Sequence, residues 1–461
     1  MVQSRTASPL LWLAVAGLAF AVPALAVSPE ADDGASEYDL VQRDYDQLVA
    51  DGEYLEAANS VKLVLMQLLR DADYDRMAYG HLLTQLATAQ HLAGSYTTAI
   101  ENFELAVQAI EFATDRLNGE LIAPLLGMSR SLMAAGRYQE AERSYLRTLH
   151  VHQVNYGFYG LDKAEVVNEL SEAYFTMGDF ELANNMQKSY VGMVEHHYPG
   201  KNLARVPSLH SQAEMLYRTE SNFRALNAYR RLIALIEDAD GPDSMELLPA
   251  FTGISDILIN NRIMDGEDGG DKAMRYMRRA AIIAERSEDT SDLDKANVFI
   301  KMGDFLSIQT PARDTVISNY QRGWQYLDRN PDLHAYRDEA FEKPILLNPI
   351  PKGSPPALRA LLDDATDPTT EKNGRIIVTY DVDEGGRPDN VRVVASYPTG
   401  LHDYIVKNHV RNFAFRPRFE AGQPVRTPDQ TYEVRYSFDE EELDGELRQN
   451  TTEVANVDVT Q

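Results

Sequence analysis

A block of six residues recurs four times at an interval of 42 residues, and this interval constrains the fold more than any other feature. Each copy has a glycine, an aromatic residue two positions later and an alanine three positions after that; the alanines are Ala57, Ala99, Ala141 and Ala183. Such a period indicates one structural unit stacked on copies of itself. A further step reaches Ala225, and weaker copies at Ala273 and Val316 predict about seven repeats over residues 36–330.

Each copy has the pattern of two helices joined by the glycine turn. Glycine relieves backbone strain in the turn, the aromatic residue fills the gap between the helices, and alanine lets their backbones approach. The first helices also repeat a large and a small residue at the same interval: Leu83, Leu125, Val167 and Leu209, and Ala87, Ser129, Ser171 and Ala213. The pattern resembles the tetratricopeptide repeat family. That resemblance implies a mostly α solenoid of helical hairpins whose concave face holds peptides or protein partners.

By periodicity, the first helices direct a set of polar and aromatic side chains towards the concave face. The candidate partner-binding residues are Arg130, Asn168, Glu172, Phe175, His210 and Tyr217. For any one of them, a solvated or packing role is the simpler interpretation. The set contains no lysine and asparagine clamp for a peptide carboxylate, so it indicates a scaffold and does not name a cargo.

The chain changes character after Asn330. Six prolines between Pro331 and Pro356 predict a linker over residues 331–373. From Gly374 the apolar residues alternate with polar ones, and the order strand, strand, helix, strand, strand predicts a small α+β domain over residues 374–438. We expect residues 340–438 to fold without the repeats.

Several motifs of this segment resemble the C-terminal domain of TonB, the periplasmic energy transducer. They are Gly374 at the start of a strand, Gly-Arg-Pro-Asp-Asn-Val at 386–391, Ser396 before Pro398, and Phe-Ala-Phe-Arg-Pro at 413–417. The resemblance implies docking on an outer-membrane receptor by addition of a β-strand to the exposed final strand. In that strand, Val434 and Tyr436 are the candidate contact residues.

The two ends of the chain have biased compositions. Residues 1–26 combine a basic start, an apolar stretch and Ala24-Leu25-Ala26, which predicts a secretory signal peptide and a periplasmic protein. The alternative is an uncleaved inner-membrane anchor, because the apolar run approaches the length of a membrane span. Residues 439–461 carry eight acids and one arginine and are predicted to be a disordered acidic tail.

Composition and motifs exclude several functions. The chain has no cysteine, which excludes thiolate metal sites, a cysteine nucleophile and a lipidated cysteine. The formal charge of -27 repels phosphate backbones, so nucleic acid is not an expected partner. The motifs of zinc proteases, P-loop enzymes, serine hydrolases and dinucleotide-binding enzymes are all missing. We therefore expect a non-enzymatic protein and predict no catalytic, cofactor-binding or metal-binding residues.

Two functions fit these observations. The favoured hypothesis is a periplasmic adaptor or scaffold in TonB-linked envelope transport, whose partners would be a TonB-dependent outer-membrane receptor or components of the transducer complex. The chain has no ionisable residue in its apolar N-terminal stretch and no long proline-rich spacer, so an adaptor fits better than the transducer itself. The alternative is a general envelope scaffold for protein partners without a transport role.

Overall fold

The computed structural model describes residues 45–260, 269–287, 290–309, 313–348 and 373–438. The predicted signal peptide, the acidic tail and residues 349–372 of the predicted linker lie outside these ranges. Contacts divide the chain into two compact units, with the division between Ile257 and Leu258. We call them the N-terminal unit and the C-terminal unit.

The N-terminal unit is a succession of antiparallel helix pairs. Its helices are α1 (residues 45–50), α2 (Tyr54–Leu68), α3 (Arg76–Leu92), α4 (Tyr96–Ala113), α5 (Ile122–Ala134), α6 (Tyr138–Tyr156), α7 (Leu161–Met177), α8 (Phe180–His197), α9 (Val206–Arg218), α10 (Asn222–Asp240) and α11 (Leu247–Asn260), which crosses the division. The turn glycines Gly52, Gly94, Gly136 and Gly178 have φ of 73° to 85°, a region that favours glycine. The predicted repeats of helical hairpins are therefore confirmed.

Successive pairs contact each other at positions that follow the 42-residue period. Phe103 of α4 packs against Gly127 of α5, where a Cβ atom would lie 2.3 Å from the Phe103 ring. Three repeats later, Tyr229 of α10 meets Gly253 of α11 in the same way, and a Cβ atom there would lie 2.3 Å from the Tyr229 hydroxyl oxygen. Both pairs are 24 residues apart, so a ring on one second helix fills the space that a glycine leaves on the next first helix.

The two intervening repeats use polar pairs at the same positions. The Tyr145 hydroxyl donates to Glu169 Oε2 at 3.3 Å, and Ser211 Oγ donates to Gln187 Oε1 at 3.3 Å. One contact is thus kept through four repeats while its chemistry changes from aromatic packing to hydrogen bonding.

The C-terminal unit begins with further helices and ends in a small α+β domain. The helices are α12 (Gly269–Arg286), α13 (Asp292–Gln309), α14 (Arg313–Arg329), α15 (His334–Phe341) and α16 (Asp403–Arg411). The strands are β1 (Ile345–Leu346), β2 (Asn373–Val382), β3 (Pro388–Tyr397), β4 (Phe415–Arg416), β5 (Arg418–Glu420), β6 (Gln423–Val425) and β7 (Thr427–Ser437).

The main sheet is antiparallel, in the order β3–β2–β7. Its apolar side chains alternate along β2, and Ile376 and Val378 pack with Val406 and Val410 of α16 in one core. The predicted strand over Phe415 to Phe419 is divided in the structure. Because Pro417 has no N–H to donate, β4 pairs with β1 and β5 pairs with β6 on either side of it.

The predicted linker is folded in its first part, which corrects the prediction for residues 331–346. Pro331 occupies the first turn of a short 3-10 helix, where its missing N–H leaves no hydrogen bond unmade. Phe341 of α15 is 1% exposed and contacts Phe419 of β5, with ring centroids 4.8 Å apart. Prolines at a helix start resemble linker prolines in sequence, and the contact with Phe419 is too distant in the chain to be recognised.

A buried ion pair joins the α+β domain to helix α13. Arg416 is 3% exposed, and its guanidinium donates to Asp304 at 2.6 and 3.0 Å. The Tyr320 hydroxyl of α14 donates to the same carboxylate at 2.9 Å. Burial opposes the charged form of Arg416, yet the Asp304 carboxylate raises its pKa above the ordinary value. Residues 340–438 therefore pack on helices of the preceding segment, and their folding without the repeats stays a prediction.

Candidate functional site

The predicted site residues lie on two surfaces, and the first is formed by helices α5, α7 and α9. Arg130 is held by an ion pair with Glu169 of the next repeat, in which Arg130 Nε donates to Glu169 Oε2 at 2.9 Å. Burial acts against the Arg130 charge, but the hydrogen bond and charge of Glu169 raise its pKa. Since Glu169 also accepts from Tyr145, Arg130 is part of the contact between repeats and not a free cation for a partner.

Asn168 also lies in the contact between repeats. Its Oδ1 accepts a hydrogen bond from Gln187 Nε2 at 2.6 Å and lies 3.2 Å from Ser211 Oγ, whose one O–H is shared between Asn168 and Gln187. Gln187 is completely buried, so its amide depends on this acceptor. Asn168 therefore stabilises the stack of helices, and the structure gives it a packing role.

Glu172 and Phe175 form a more accessible cluster with Arg218 of α9. Arg218 donates to both Glu172 oxygens at 2.9 Å, and its guanidinium lies 3.9 Å from the centre of the Phe175 ring. The Arg218 and Glu172 side chains are 33% and 45% exposed. A half-exposed aromatic ring beside a guanidinium and a carboxylate is a surface that peptide side chains and backbone amides contact readily.

Arg218 was missed by the sequence reasoning. Its partner Glu172 lies 46 residues away, one repeat and one helical turn, and that spacing was the only available signal. His210 lies edge-on to Tyr229, with ring centroids 5.9 Å apart, and Tyr217 is half-buried on the same helix. The structure thus brings Glu172, Phe175 and Arg218 together. His210 lies instead beside Tyr229, the ring that packs against Gly253.

The second surface is the edge strand β7, where the candidate residues Val434 and Tyr436 require correction. Their side chains are 3% and 2% exposed and belong to the core beneath the sheet. They cannot contact a partner through side chains. Strand alternation gives the reason, because the apolar face of β7 packs on its own domain and leaves polar residues on the opposite face.

The backbone of β7 is paired on one side only in the described chain. The direction of its amides follows from the β2–β3 hairpin, where Asp383 N–H donates to the Arg387 carbonyl at 2.9 Å. Antiparallel strands alternate between hydrogen-bonded and non-bonded pairs. The register shifts in the hairpin add residues to β3 and none to β2. Every second residue of β2, counted back from Asp383, therefore faces β3, and the residues between them, including Ile376 and Val378, direct their N–H groups to β7.

The opposite amides of β7 then point away from the sheet. Ile376 and Val378 pair with Val434 and Tyr432, so the intervening Glu433, together with Thr431 and Arg435, directs its N–H and carbonyl to the free edge. Glu433 accepts from Arg375 at 2.8 Å and from Arg435 at 2.6 Å, and these hydrogen bonds lower its pKa. The free edge therefore offers backbone pairing, flanked by charged side chains.

A histidine is buried in the α+β domain. His409 is 3% exposed, both ring nitrogens are without a hydrogen-bond partner among the described residues, and burial lowers its pKa to about 4. The unfolded chain binds the proton near pH 6.5, whereas the folded chain does not. We predict that the C-terminal unit loses stability, on the order of 3 kcal/mol, as the pH falls from above 6.5 to about 4.

Urea unfolding at neutral and mildly acidic pH, with His409→Leu as the control variant, measures this dependence. The variant has no proton to bind at this position, so its stability should change less between the two pH values. Equal losses in the two proteins would contradict the prediction.

Within the described residues, no helix is long and apolar enough to span a membrane. The same part of the chain contains no group of three or more histidines and carboxylates placed to hold a metal ion.

Comparisons with known proteins concern the repeats. No protein-family profile matches the chain, and no curated protein matches it. A Podosopora anserina protein with nearly identical TPR-like repeats is 16% identical, covering 45% of this chain and 99% of that one, with a TM-score of 0.41. The C-terminal part of a TPR repeat-containing protein from Cytophaga hutchinsonii is 10% identical, covering 64% and 98%, with a TM-score of 0.43.

A Rap protein solved with Competence and Sporulation Factor is 12% identical, covering 66% of this chain and 76% of that one, with a TM-score of 0.35. Similarity at this level says nothing about the activity or the partners of this chain. The assignment of TPR-type helical repeats therefore stands on the helix pairs and their 42-residue contacts.

Proposed function

We propose that the protein is an exported, non-enzymatic scaffold in TonB-linked transport across the cell envelope. Its repeats bind a protein partner, and its α+β domain accepts a strand from a second protein at the edge of β7. The observation that carries the proposal is this eleven-residue strand, which pairs with β2 on one side and directs the amides of Thr431, Glu433 and Arg435 outwards. Backbone hydrogen bonds would supply the affinity.

Two glycines of the TonB-like motifs support the assignment of this domain. A Cβ atom on Gly374 would lie 2.3 Å from the Tyr436 ring, and one on Gly386 would lie 2.0 Å from the Phe415 carbonyl oxygen. Gly386 also has a φ of 77°. Both positions therefore need glycine for packing, which gives the sequence motif a physical basis in this sheet.

Export rests on the sequence of residues 1–26, which lie outside the described ranges. Cleavage after Ala26 would give a mature chain that begins at Val27. N-terminal sequencing of protein from the periplasmic fraction tests this part of the proposal, since an intact Met1 in the membrane fraction would indicate an anchor.

One observation fits the second candidate, a general envelope scaffold without a transport role, as well as it fits the first. The buried pair of Arg416 and Asp304 holds the α+β domain on helix α13. A transducer that crosses the periplasm needs its terminal domain on a long spacer. A domain fixed to helices fits docking better than energy transduction, and the two candidates differ in the proteins that dock.

We predict that Glu433→Pro abolishes capture of the strand-donating partner from an envelope extract. Proline removes one outward N–H and blocks the edge, while the ladder with β2 keeps its own donors, so the variant should remain folded. Glu433→Ala is the matched control, because it removes the same contacts with Arg375 and Arg435 and keeps the N–H.

Mass spectrometry of the captured proteins separates the candidates. Outer-membrane receptors or motor components that bind the parent and Glu433→Ala, but not Glu433→Pro, would support the transport role. A different set of envelope proteins with the same dependence would support the general scaffold. Equal capture by the folded proline and alanine variants would refute strand addition at this edge.

A further inference from the structure

Helix α12 is basic in an otherwise acidic chain. The whole sequence has 44 lysines and arginines against 71 aspartates and glutamates. Within α12 the balance is reversed: its basic residues are Lys272, Arg275, Arg278, Arg279 and Arg286, and its acids are Asp271 and Glu285. This local excess of positive charge has no role in the functions discussed above.

Three of the arginines lie on one exposed face. At 3.6 residues per turn, Arg275, Arg278 and Arg286 fall on a single stripe together with Ile282, and all four residues are exposed. The opposite face is apolar and buried. Glu285, at the side of the stripe, is paired with Arg322 of α14 at 2.6 Å. We call these four residues the arginine stripe.

We propose that the acidic segment 439–461 of the same chain binds the arginine stripe. This segment follows Phe438, the last described residue of the C-terminal unit, and its eight acids and one arginine give it a charge of -7. Six of the acids lie within residues 439–446, a run that spans about 26 Å when extended. The stripe rises about 16 Å along the helix, so the acidic run is long enough to cover it.

Two arguments, one from charge and one from tethering, favour the tail over separate polyanions. The tail accounts for -7 of the net -27, and the remaining -20 still repels nucleic acids and anionic membranes at long range. A tethered segment also has an effective concentration of about 1 mM, which populates contacts that are weak between separate molecules. The tail would thus occupy a surface that an acidic segment of a partner would otherwise contact, and the partner would have to displace it.

Cross-linking in the full chain tests the proposal, because the sequence has no native cysteine. One cysteine replaces Gly445 in the tail and a second replaces Ile282 in the stripe, and a short bis-maleimide then joins residues that lie close together. The control replaces Gly445 and Val394, an aliphatic residue of the same unit that is 56% exposed. We expect at least tenfold more intramolecular product for the Ile282→Cys pair than for the control.

The charge of the stripe should determine that yield. Arg275→Gln, Arg278→Gln and Arg286→Gln together should lower it at least tenfold, and so should salt of about 1 M. As a control, three exposed cations of the N-terminal unit are replaced by glutamine: Arg143, Lys188 and Arg224. These changes should leave the cross-linking yield unchanged. Equal yields at Ile282 and Val394 would overturn the proposal.

Two further outcomes would also overturn it by assigning the stripe elsewhere. Cross-linked dimers in place of intramolecular product would mean that the tail binds a second copy. Loss of the cross-link on adding phosphatidylglycerol vesicles, with the protein sedimenting with them, would assign the stripe to an anionic lipid surface. None of these results depends on strand addition at β7, so failure here and failure of the proposed function are distinguishable.

Discussion

Asp304→Ala should destabilise the C-terminal unit by about 3–5 kcal/mol, the usual result of leaving a buried charge without its partner. Arg416 is 3% exposed and would keep its charge with no carboxylate to accept its hydrogen bonds. Tyr320, which is completely buried, would lose the acceptor of its hydroxyl. The variant therefore removes the polar centre of the contact between α13 and the α+β domain.

Urea unfolding followed by Trp324 fluorescence reports on this unit, because the ring lies at the Gly422 turn of the α+β domain. The only other tryptophan, Trp12, belongs to the predicted signal peptide. Asp328→Ala is the matched control: its pair with Arg337 is partly exposed and should be worth less than about 1 kcal/mol. Similar losses for the two alanine variants would show that Arg416 does not depend on Asp304.

Ala141→Trp should cost the N-terminal unit several kcal/mol. Ala141 is 0% exposed and packs with Ile100 and Leu132 between neighbouring helices, so an indole must push two backbones apart. Smaller insertions into packed cores already cost roughly 1–3 kcal/mol. Thermal unfolding monitored by circular dichroism measures the loss.

The control for this variant is Tyr138→Trp, three residues earlier on the same helix. Tyr138 is 38% exposed, so a larger ring there has room to project into solvent. Its melting temperature should stay near that of the parent. A melting temperature of Ala141→Trp as high as that of Tyr138→Trp would contradict the repeat packing.

The repeats were predictable because one set of contacts recurs at one interval. Ala141 and its equivalents Ala57, Ala99 and Ala183 are all completely buried, and the period therefore reports packing directly. The strands were predictable for the same kind of reason, since alternation along β2 matches a sheet with one buried face. Local patterns in the sequence were therefore enough to predict the helices, the strands and their buried residues.

Contacts between distant segments could not be predicted. Asp304 and Arg416 are 112 residues apart, and no local pattern marks either as half of a buried pair. The ion pair between Arg130 and Glu169 is likewise set by the stacking of repeats. Val434 and Tyr436 are a different case, because the alternation of β7 already indicated that its apolar residues face its own core.

Hydrogen exchange at the edge of β7 tests the central claim of strand addition most directly. In the free protein, the amides of Thr431, Glu433 and Arg435 should exchange rapidly, and those of Tyr432, Val434 and Tyr436 should be protected by β2. In the complex with a captured partner, the first three amides should become protected while the second three stay as they were. A stable complex in which Thr431, Glu433 and Arg435 exchange as fast as in the free protein would contradict the account.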